Sequence, residues 1–486
     1  VFSPEAKPAG SAAVPVRQIY PKPGWVEHDP DELFDGAVSA ARGAVAAAGL
    51  TFDEIAAIGV ANQRETVVVW ERATGRPVAN AIVWQCRRTA EACETLRAQG
   101  HGEDIQRRTG LVIDPYFSAT KIAWLLDRTA GGRRRGNAGE LCAGTVDSWL
   151  LFRLTGGRRH ATDATNASRT MLLNIHDLSW DETLLRLLDI PLRLLPEVRP
   201  SAAEFGETDP SVFGRAVPVM GIAGDQSAAL YGQACFAAGM AKCTFGTGAF
   251  ILANAGFAAR EPLPGLITTV AWRTGRRAVY ALEGSVFTTG AAVQWLRDEL
   301  GIIATAADSD ALAQSLPDNG GVYFVPAFAG LGAPHWDSDA RGAIVGLTGG
   351  AHRAYLARAA LEATAYQVRD VVNAMAPALR QSRGERPLRA DGGQSASEFL
   401  MQFQADILDR PVEVAAVPET TALGAGGLAG RTAGLWGAEA ELASLWEASR
   451  VYEPRMSSGE RLDLCAGWDR AVAQARHRPP TTAALL

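Results

Sequence analysis

The 486 residues are 47% apolar and 21% charged, with a formal net charge of −6. That balance is ordinary for a globular chain and supplies no basic field for nucleic acid or an anionic membrane. One hydrophobic core rarely grows past about 250–300 residues, so two domains are expected.

The chain opens on a proline-rich stretch. Residues 1–29 hold five prolines, and Pro21, Pro23 and Gly24 predict a rigid turn around Trp25. Phe34, Val38, Ala41 and Val45 recur near one helical turn, which predicts a helix over 31–49 capped by Asp29 or Asp31. The runs 55–60 and 66–70 read as strands, with Gln63-Arg64-Glu65 at the mouth between them. Helices follow at 87–99 and 119–128, and the glycine- and arginine-rich run 128–139 reads as a solvated loop. PVMGIAGDQSAALYG (218–232) reads as a buried strand, a glycine turn and a helix start. AKCTFGTGAFILANAG (241–256) reads as a hairpin turning at Gly246-Thr247-Gly248. A boundary near residue 234 divides the chain into 1–233 and 234–486. The second part alternates helices (288–300, 353–378, 395–407, 421–434) with strands (321–325, 342–347, 411–417), so both parts read as α/β. The tail beyond Gln474 reads as a frayed end.

Six cysteines stand apart from any CxxC pairing and read as small buried hydrophobes of a reducing cytosolic compartment. The first residues lack the basic region and apolar run of a secretory leader, and no apolar run approaches the length of about 20 that crosses a membrane. Seven scattered histidines make no metal-ligand cluster, and the metal ligands stay unassigned.

Polar groups at strand ends are the candidates for chemistry. Asp225, beyond a strand and a glycine exit, projects into a cleft, or else caps the helix that follows. Arg64 and Glu65 place a donor fork beside an acceptor, which suits a polyol whose hydroxyls do both. The plain alternative is a surface ion pair in a turn. Trp84, Tyr116 and Phe250 offer apolar walls for the C–H face of a small alcohol, or ordinary core packing. Three glycine turns, at 246–248, 391–393 and 424–427, offer backbone N–H groups to phosphate, although no Walker A sequence or dinucleotide fingerprint occurs.

Beyond these patterns, IGVANQRET (58–66), NAIVWQCRRTA (80–90), TGLVIDPYFSATK (109–121), TDATNASRTML (162–172), GIAGDQSAALYGQ (221–233), FGTGAF (245–250), ALEGSVFTTGAAVQWLRD (281–298) and RADGGQSASEFLMQFQADIL (389–408) run in order through the chain. With them the sequence resembles the glycerol kinases of the FGGY-type carbohydrate kinase family. The resemblance implies two actin-like, ribonuclease-H-like domains around a cleft, and ATP- and Mg²⁺-dependent phosphorylation of glycerol to sn-glycerol 3-phosphate. Arg64, Glu65, Trp84, Tyr116, Asp225, Gln226 and Phe250 match glycerol-side positions, with Asp225 at the catalytic base. Thr247, Gly290, Gln294 and Gly393 match nucleotide contacts, and Ser397 stands where relatives often have asparagine. The family also implies a cytoplasmic homodimer or homotetramer.

Two departures qualify the match. Relatives begin with a strand and a D-x-G-T-T-x-x-R loop, whereas Val1-Phe2-Ser3-Pro4-Glu5 resembles the strand that follows that loop. The expectation is a chain shortened at its start, with an intact glycerol half-site and impaired phosphoryl transfer. A silent glycerol-binding homologue is the alternative function. In addition, DPSVFGRAVPV (209–219) lacks the glycine-rich, lysine-bearing loop of relatives that bind a sugar bisphosphate, so that control is not expected.

Overall fold

The computed structural model describes residues 1–379 and 386–477. Its frame is a ten-stranded mixed sheet. In chain order the strands are β1 (Ile58–Asn62), β2 (Ala202–Glu207), β3 (Pro218–Gly224), β4 (Ala241–Phe245), β5 (Ala249–Gly256), β6 (Ile267–Thr274), β7 (Arg277–Val286), β8 (Leu388–Asp391), β9 (Val412–Ala415) and β10 (Ala448–Tyr452). Across the sheet they lie β1-β3-β2-β6-β7-β5-β4-β8-β9-β10. β1 and β3 are parallel, as are β4, β8 and β9, while β6, β7, β5 and β4 pair antiparallel in sequence across the centre. A smaller sheet joins Glu27–His28, Ala81–Ile82, Val67–Glu71 and Leu141–Thr145.

Register places the polar turns. Thr244 pairs with Asp391 and Phe245 with Ala249, so the 246–248 turn and the 391–393 turn emerge at the same end of β4 and β8. Leu252 faces Glu283 and Phe250 faces Ser285, which sets β7 beside the strand that carries the 246–248 turn.

Five helices matter most for the site: α1 (Asp225–Gly232), α2 (Gly290–Asp298), α3 (Arg353–Leu379), α4 (Glu398–Leu408) and α5 (Thr420–Thr432). α3 is long because alanine and straight-chain residues dominate it; Val368, Val371, Val372 and Met375 are buried in the second half's main core, and Ala360 in a neighbouring cluster with Leu296 and Phe324. The early helix spans Pro30–Ala47; Asp29 accepts from the Asp31 and Glu32 amides, and Pro30 sits where its missing N–H costs nothing. A first-half core gathers Val67, Ile82, Phe117, Leu125 and Leu141.

Two readings of glycine-rich sequence are corrected. Residues 128–139 are not all loop: Gly132–Ala138 is a helix, bracketed by left-handed Gly131 and Gly139. Its Arg133 and Arg135 are partly covered and paired with Asp127 and Glu71. Gly424 to Gly427 form no phosphate turn. They lie within α5, where Gly424 allows contact with α1: a Cβ there would meet the Ala228 carbonyl oxygen at 1.8 Å. The last helix runs through Arg476, and residues 478–486 of the expected frayed tail lie outside the described residues. Among the described residues no helix is long and apolar enough to cross a membrane.

Candidate active site

The acceptor-side candidates converge on one buried ionic cluster. Arg64 and Glu65 occupy the tight connection from β1 to Val67–Glu71, and both are almost fully buried. Glu65 adopts a left-handed backbone, φ 61°, a conformation that carries strain outside glycine. Asn62 and Asn166 exchange two side-chain hydrogen bonds of 2.9 Å, which pin the start of this turn to the helix Ala164–Ala167.

Arg64 is held at both ends. Its Nη1 and Nη2 donate to the two oxygens of Glu283 at 2.6 and 2.9 Å, and its Nε lies 3.1 Å from Asp225 Oδ1. The bidentate fork fixes the guanidinium plane. Gly224 makes room for the stem, since a Cβ there would lie 2.5 Å from Arg64 Cγ. Arg169 is wholly buried beside it, donating from Nε to Glu65 Oε1 at 2.5 Å and from Nη2 to Glu283 Oε1 at 3.1 Å. The alternative of a surface ion pair fails, because both side chains are buried: Arg64 Nε and Glu65 Oε1 are 3.9 Å apart, and each residue's shortest contacts reach far along the chain.

Burial and charge pull the carboxylates in different directions. Burial pushes the Glu65 carboxyl up from its ordinary range, against the pull of Arg169 and Arg64. Burial acts likewise on Glu283, but Arg169 and Arg64 outweigh it and hold that carboxyl at about 2. Burial also works against the Arg64 charge, yet Glu283 and Glu65 keep its proton bound more tightly than usual.

Asp225 is the first residue of α1, and Gly224 holds the cap position. The capping alternative thus fails. Its carboxylate accepts from the Gln226 backbone N–H at 2.8 Å and the Gln226 side-chain amide at 3.2 Å, and the side chain stays 36% exposed. The α1 N-terminus favours negative charge there. Lys242 donates to Gln226 Oε1, and to Thr244 Oγ1 at 2.8 Å.

Three rings stand beside the cluster. Trp84 meets Tyr116 edge-on at 5.7 Å and Phe250 at 6.4 Å between ring centres. The Arg169 guanidinium lies 5.5 Å from the Tyr116 ring centre. Lys121 Nζ donates to the Tyr116 carbonyl at 2.7 Å and helps set that loop.

The nucleotide-side candidates form a second group. Thr247 is exposed at the tip of the β4–β5 hairpin. The Thr289 and Ala291 amides donate to its carbonyl, and the Gly290 amide donates to the Gly246 carbonyl at 3.1 Å. Gly290 opens α2 and Gln294 lies exposed one turn on. A Cβ on Gly290 would touch Gly246 O at 2.6 Å and Gln394 Cδ at 3.3 Å, so the 246–248 turn, the α2 start and the segment beginning at Gly393 are adjacent. Ser397 caps α4: its Oγ accepts from the Leu400 amide and donates to Asp310.

Arg169, Glu283 and Lys242 received no role from sequence reasoning. The available signal was a charge inside an otherwise apolar strand, as in VYALEGSV around Glu283.

The mixed sheet shared by two α/β halves is the actin-like, ribonuclease-H-like fold of ATP-using sugar kinases. Residues 1–232 match the N-terminal domain, and residues 241–433 the C-terminal domain, of the FGGY family of carbohydrate kinases. The chain is 55% identical to a glycerol kinase of Symbiobacterium thermophilum across 98% of this chain and 95% of that protein. It is 54% identical to glycerol kinase 2 of Thermotoga maritima across 94% and 92%. The crystal structure of Plasmodium falciparum glycerol kinase with ADP superposes with a TM-score of 0.91 at 34% identity, covering 98% of this chain and 96% of that one. This chain belongs to the FGGY family of carbohydrate kinases.

Proposed function

We propose that this chain transfers the γ-phosphoryl group of ATP to a terminal hydroxyl of glycerol, giving sn-glycerol 3-phosphate and ADP. The observation that carries the reading is the open Asp225 carboxylate, held 3.1 Å from Arg64 beside Glu65, Trp84 and Tyr116. A three-carbon triol presents hydroxyls that accept from Arg64 and donate to carboxylates, while its C–H face meets Trp84, Tyr116 and Phe250. Residues 1–233 supply most of this glycerol side. Residues 234–486 supply Phe250 and the nucleotide side, through Thr247, Gly290, Gln294, Gly393 and Ser397.

In this reading Asp225 accepts the proton of the attacking hydroxyl as the O–P bond forms. The base need not be strong, because phosphoryl transfer depends chiefly on alignment and on stabilising phosphate charge. Gln226, steadied by Lys242, holds the Asp225 carboxylate in orientation. The exposed Thr247 hydroxyl is offered to phosphate oxygens, and the positive end of α2 lies against that turn. Among the described residues no group of three or more His, Cys, Asp or Glu side chains is placed to hold a metal ion. A bound Mg²⁺ would therefore be held chiefly by nucleotide phosphates and water, with Asp225 as the open carboxylate nearby, and would neutralise phosphate charge.

The gathering of acceptor-side and nucleotide-side candidates into two groups favours this reading over the silent binder. Six buried free cysteines suit a reducing cytoplasm, and assembly as a homodimer or homotetramer belongs to the same reading. The deciding experiment supplies the purified chain with ATP, Mg²⁺ and glycerol and measures glycerol 3-phosphate and ADP together. Failure to form both, with the chain folded, refutes the function.

A further inference from the structure

Glu283 is a charged residue where the surrounding strand is apolar. It lies on β7 with no exposed surface, and all ten residues of that strand except Arg277 are buried. Such a carboxylate is retained only when fully paired, because desolvation otherwise neutralises or expels it. Its pairing is lopsided: one carboxylate receives three N–H groups from two guanidiniums, Arg64 and Arg169. Two like charges side by side would otherwise repel, so Glu283 is what lets both stay buried.

The direction of each pairing matters. Glu283 takes the far end of Arg64 and so turns its Nε edge toward Asp225. Through Arg169 it also reaches Glu65, whose Oε1 accepts from Arg169 Nε. Arg169 Nη1 is buried without a hydrogen-bond partner while the guanidinium lies by the Tyr116 ring. Its hydrogen bonds therefore come from Nε and Nη2 alone, to Glu65 and Glu283, which set its position in the cluster. The linkage also spans the chain, because Glu283 lies 219 residues from Arg64 and shares its segment with the α2 start at Gly290.

We infer that Glu283 and Arg169 are positioning residues for the acceptor alcohol, Glu283 clamping the two guanidiniums so that Arg64 and Glu65 meet the substrate's hydroxyls at a fixed angle. This rests on the acceptor reading of the cluster given above. Neither residue takes the proton or touches the phosphoryl group; each acts through Arg64 and Glu65.

The test compares the full-length chain with Glu283→Gln, Glu283→Asp and Arg169→Lys, measuring kcat and KM separately for glycerol and for ATP. Glu283→Gln keeps the shape and removes the charge. It should raise the glycerol KM by about tenfold or more while the ATP KM stays within about twofold, a split that general loosening would not give. Glu283→Asp retains the charge and should regain much of the loss. Arg169→Lys keeps the charge count but loses the two-armed contact, and should also raise the glycerol KM about tenfold. If Glu283→Gln does not fold, as judged by circular dichroism, Glu283→Asp and Arg169→Lys carry the test. Glycerol KM values within about twofold of the parent in the folded variants, or equal rises for glycerol and ATP, overturn the proposal. A folded parent that makes no glycerol 3-phosphate refutes instead the acceptor reading on which it rests.

Discussion

Gly424→Ala asks whether the placement of Asp225 depends on two helices touching backbone to backbone. The new Cβ would lie 1.8 Å from the Ala228 carbonyl oxygen and 2.9 Å from the Gly232 nitrogen. Ordinary contact begins near 3.4 Å, so α1 and α5 must part by roughly 1.5 Å. The obstructing atoms are backbone, and no side-chain rotation relieves them. Overpacking of this kind costs about 1–3 kcal/mol, occasionally more. α1 also begins at Asp225, whose carboxylate is 3.1 Å from Arg64 Nε. Moving a catalytic group by about 1 Å can cost about 100-fold in rate. The expected variant is less stable to heat and about 100-fold lower in kcat at saturating glycerol and ATP. Gly426→Ala is the matched control: its Cβ would meet Phe2 at 3.5 Å, an ordinary contact, and alanine favours a helix by up to about 1 kcal/mol. Parent-like melting and kcat in Gly424→Ala would refute the packing argument, and equal damage in both variants would remove its specificity.

Other expectations follow from the same geometry. Asp225→Asn should lower kcat by about 100- to 10,000-fold while calorimetric glycerol binding persists; unchanged kcat would remove the base from the mechanism. The compact cluster should favour glycerol over a pentulose, and similar kcat/KM for glycerol and xylulose would show that Arg64, Glu65, Tyr116 and Asp225 do not set acceptor choice. Asp147 bears on stability: burial pushes its carboxyl up to about 7, although the Thr145 and Thr162 hydroxyls donate to it at 2.5 and 2.6 Å. The folded state therefore holds this proton more tightly than the unfolded chain does. Its stabilising effect is complete below the ordinary value of 3.8 and is lost as pH rises through about 7. Denaturant titrations at several pH values should show a shallower decline for Asp147→Asn over that window, and identical slopes would contradict the assignment.

Local pattern placed the elements with clear periodicity or glycine punctuation, whereas β2, β6, β7, β8 and β10 of the main sheet went unread. Periodicity and caps give a helix over 31–49, found at Pro30–Ala47, and strands over 55–60 and 66–70, found at Ile58–Asn62 and Val67–Glu71; the Gly246-Thr247-Gly248 turn is readable from its glycines between two strand-like runs. The same glycine signal misled in two places because glycine serves two physical purposes. At Gly392, with φ 88°, it allows a left-handed turn. At Gly424 it removes a side chain so that another backbone can approach, inside a helix that continues undisturbed. A short window of sequence does not distinguish the two, because the difference lies in what approaches from outside it.

The site divides along the same line. Arg64, Glu65 and Asp225 were legible because polar residues concentrate at strand ends, where a cleft forms. Arg169 and Glu283 were not, because each is intelligible only through a partner more than 100 residues away. Yet burial of charge constrains the reading even without coordinates. A strand such as β7, apolar on both faces, accommodates Glu283 only if a cation is buried against it. One arginine would satisfy a carboxylate; two around Glu283 exceed what neutralisation requires. Glu65 restores the balance among these four groups, and Asp225 remains as the carboxylate at the open edge. The cluster thus neutralises its interior charges among themselves and leaves Asp225, paired with Arg64 yet partly exposed, at the open edge, an arrangement that suits the proposed proton acceptor beside a polyol.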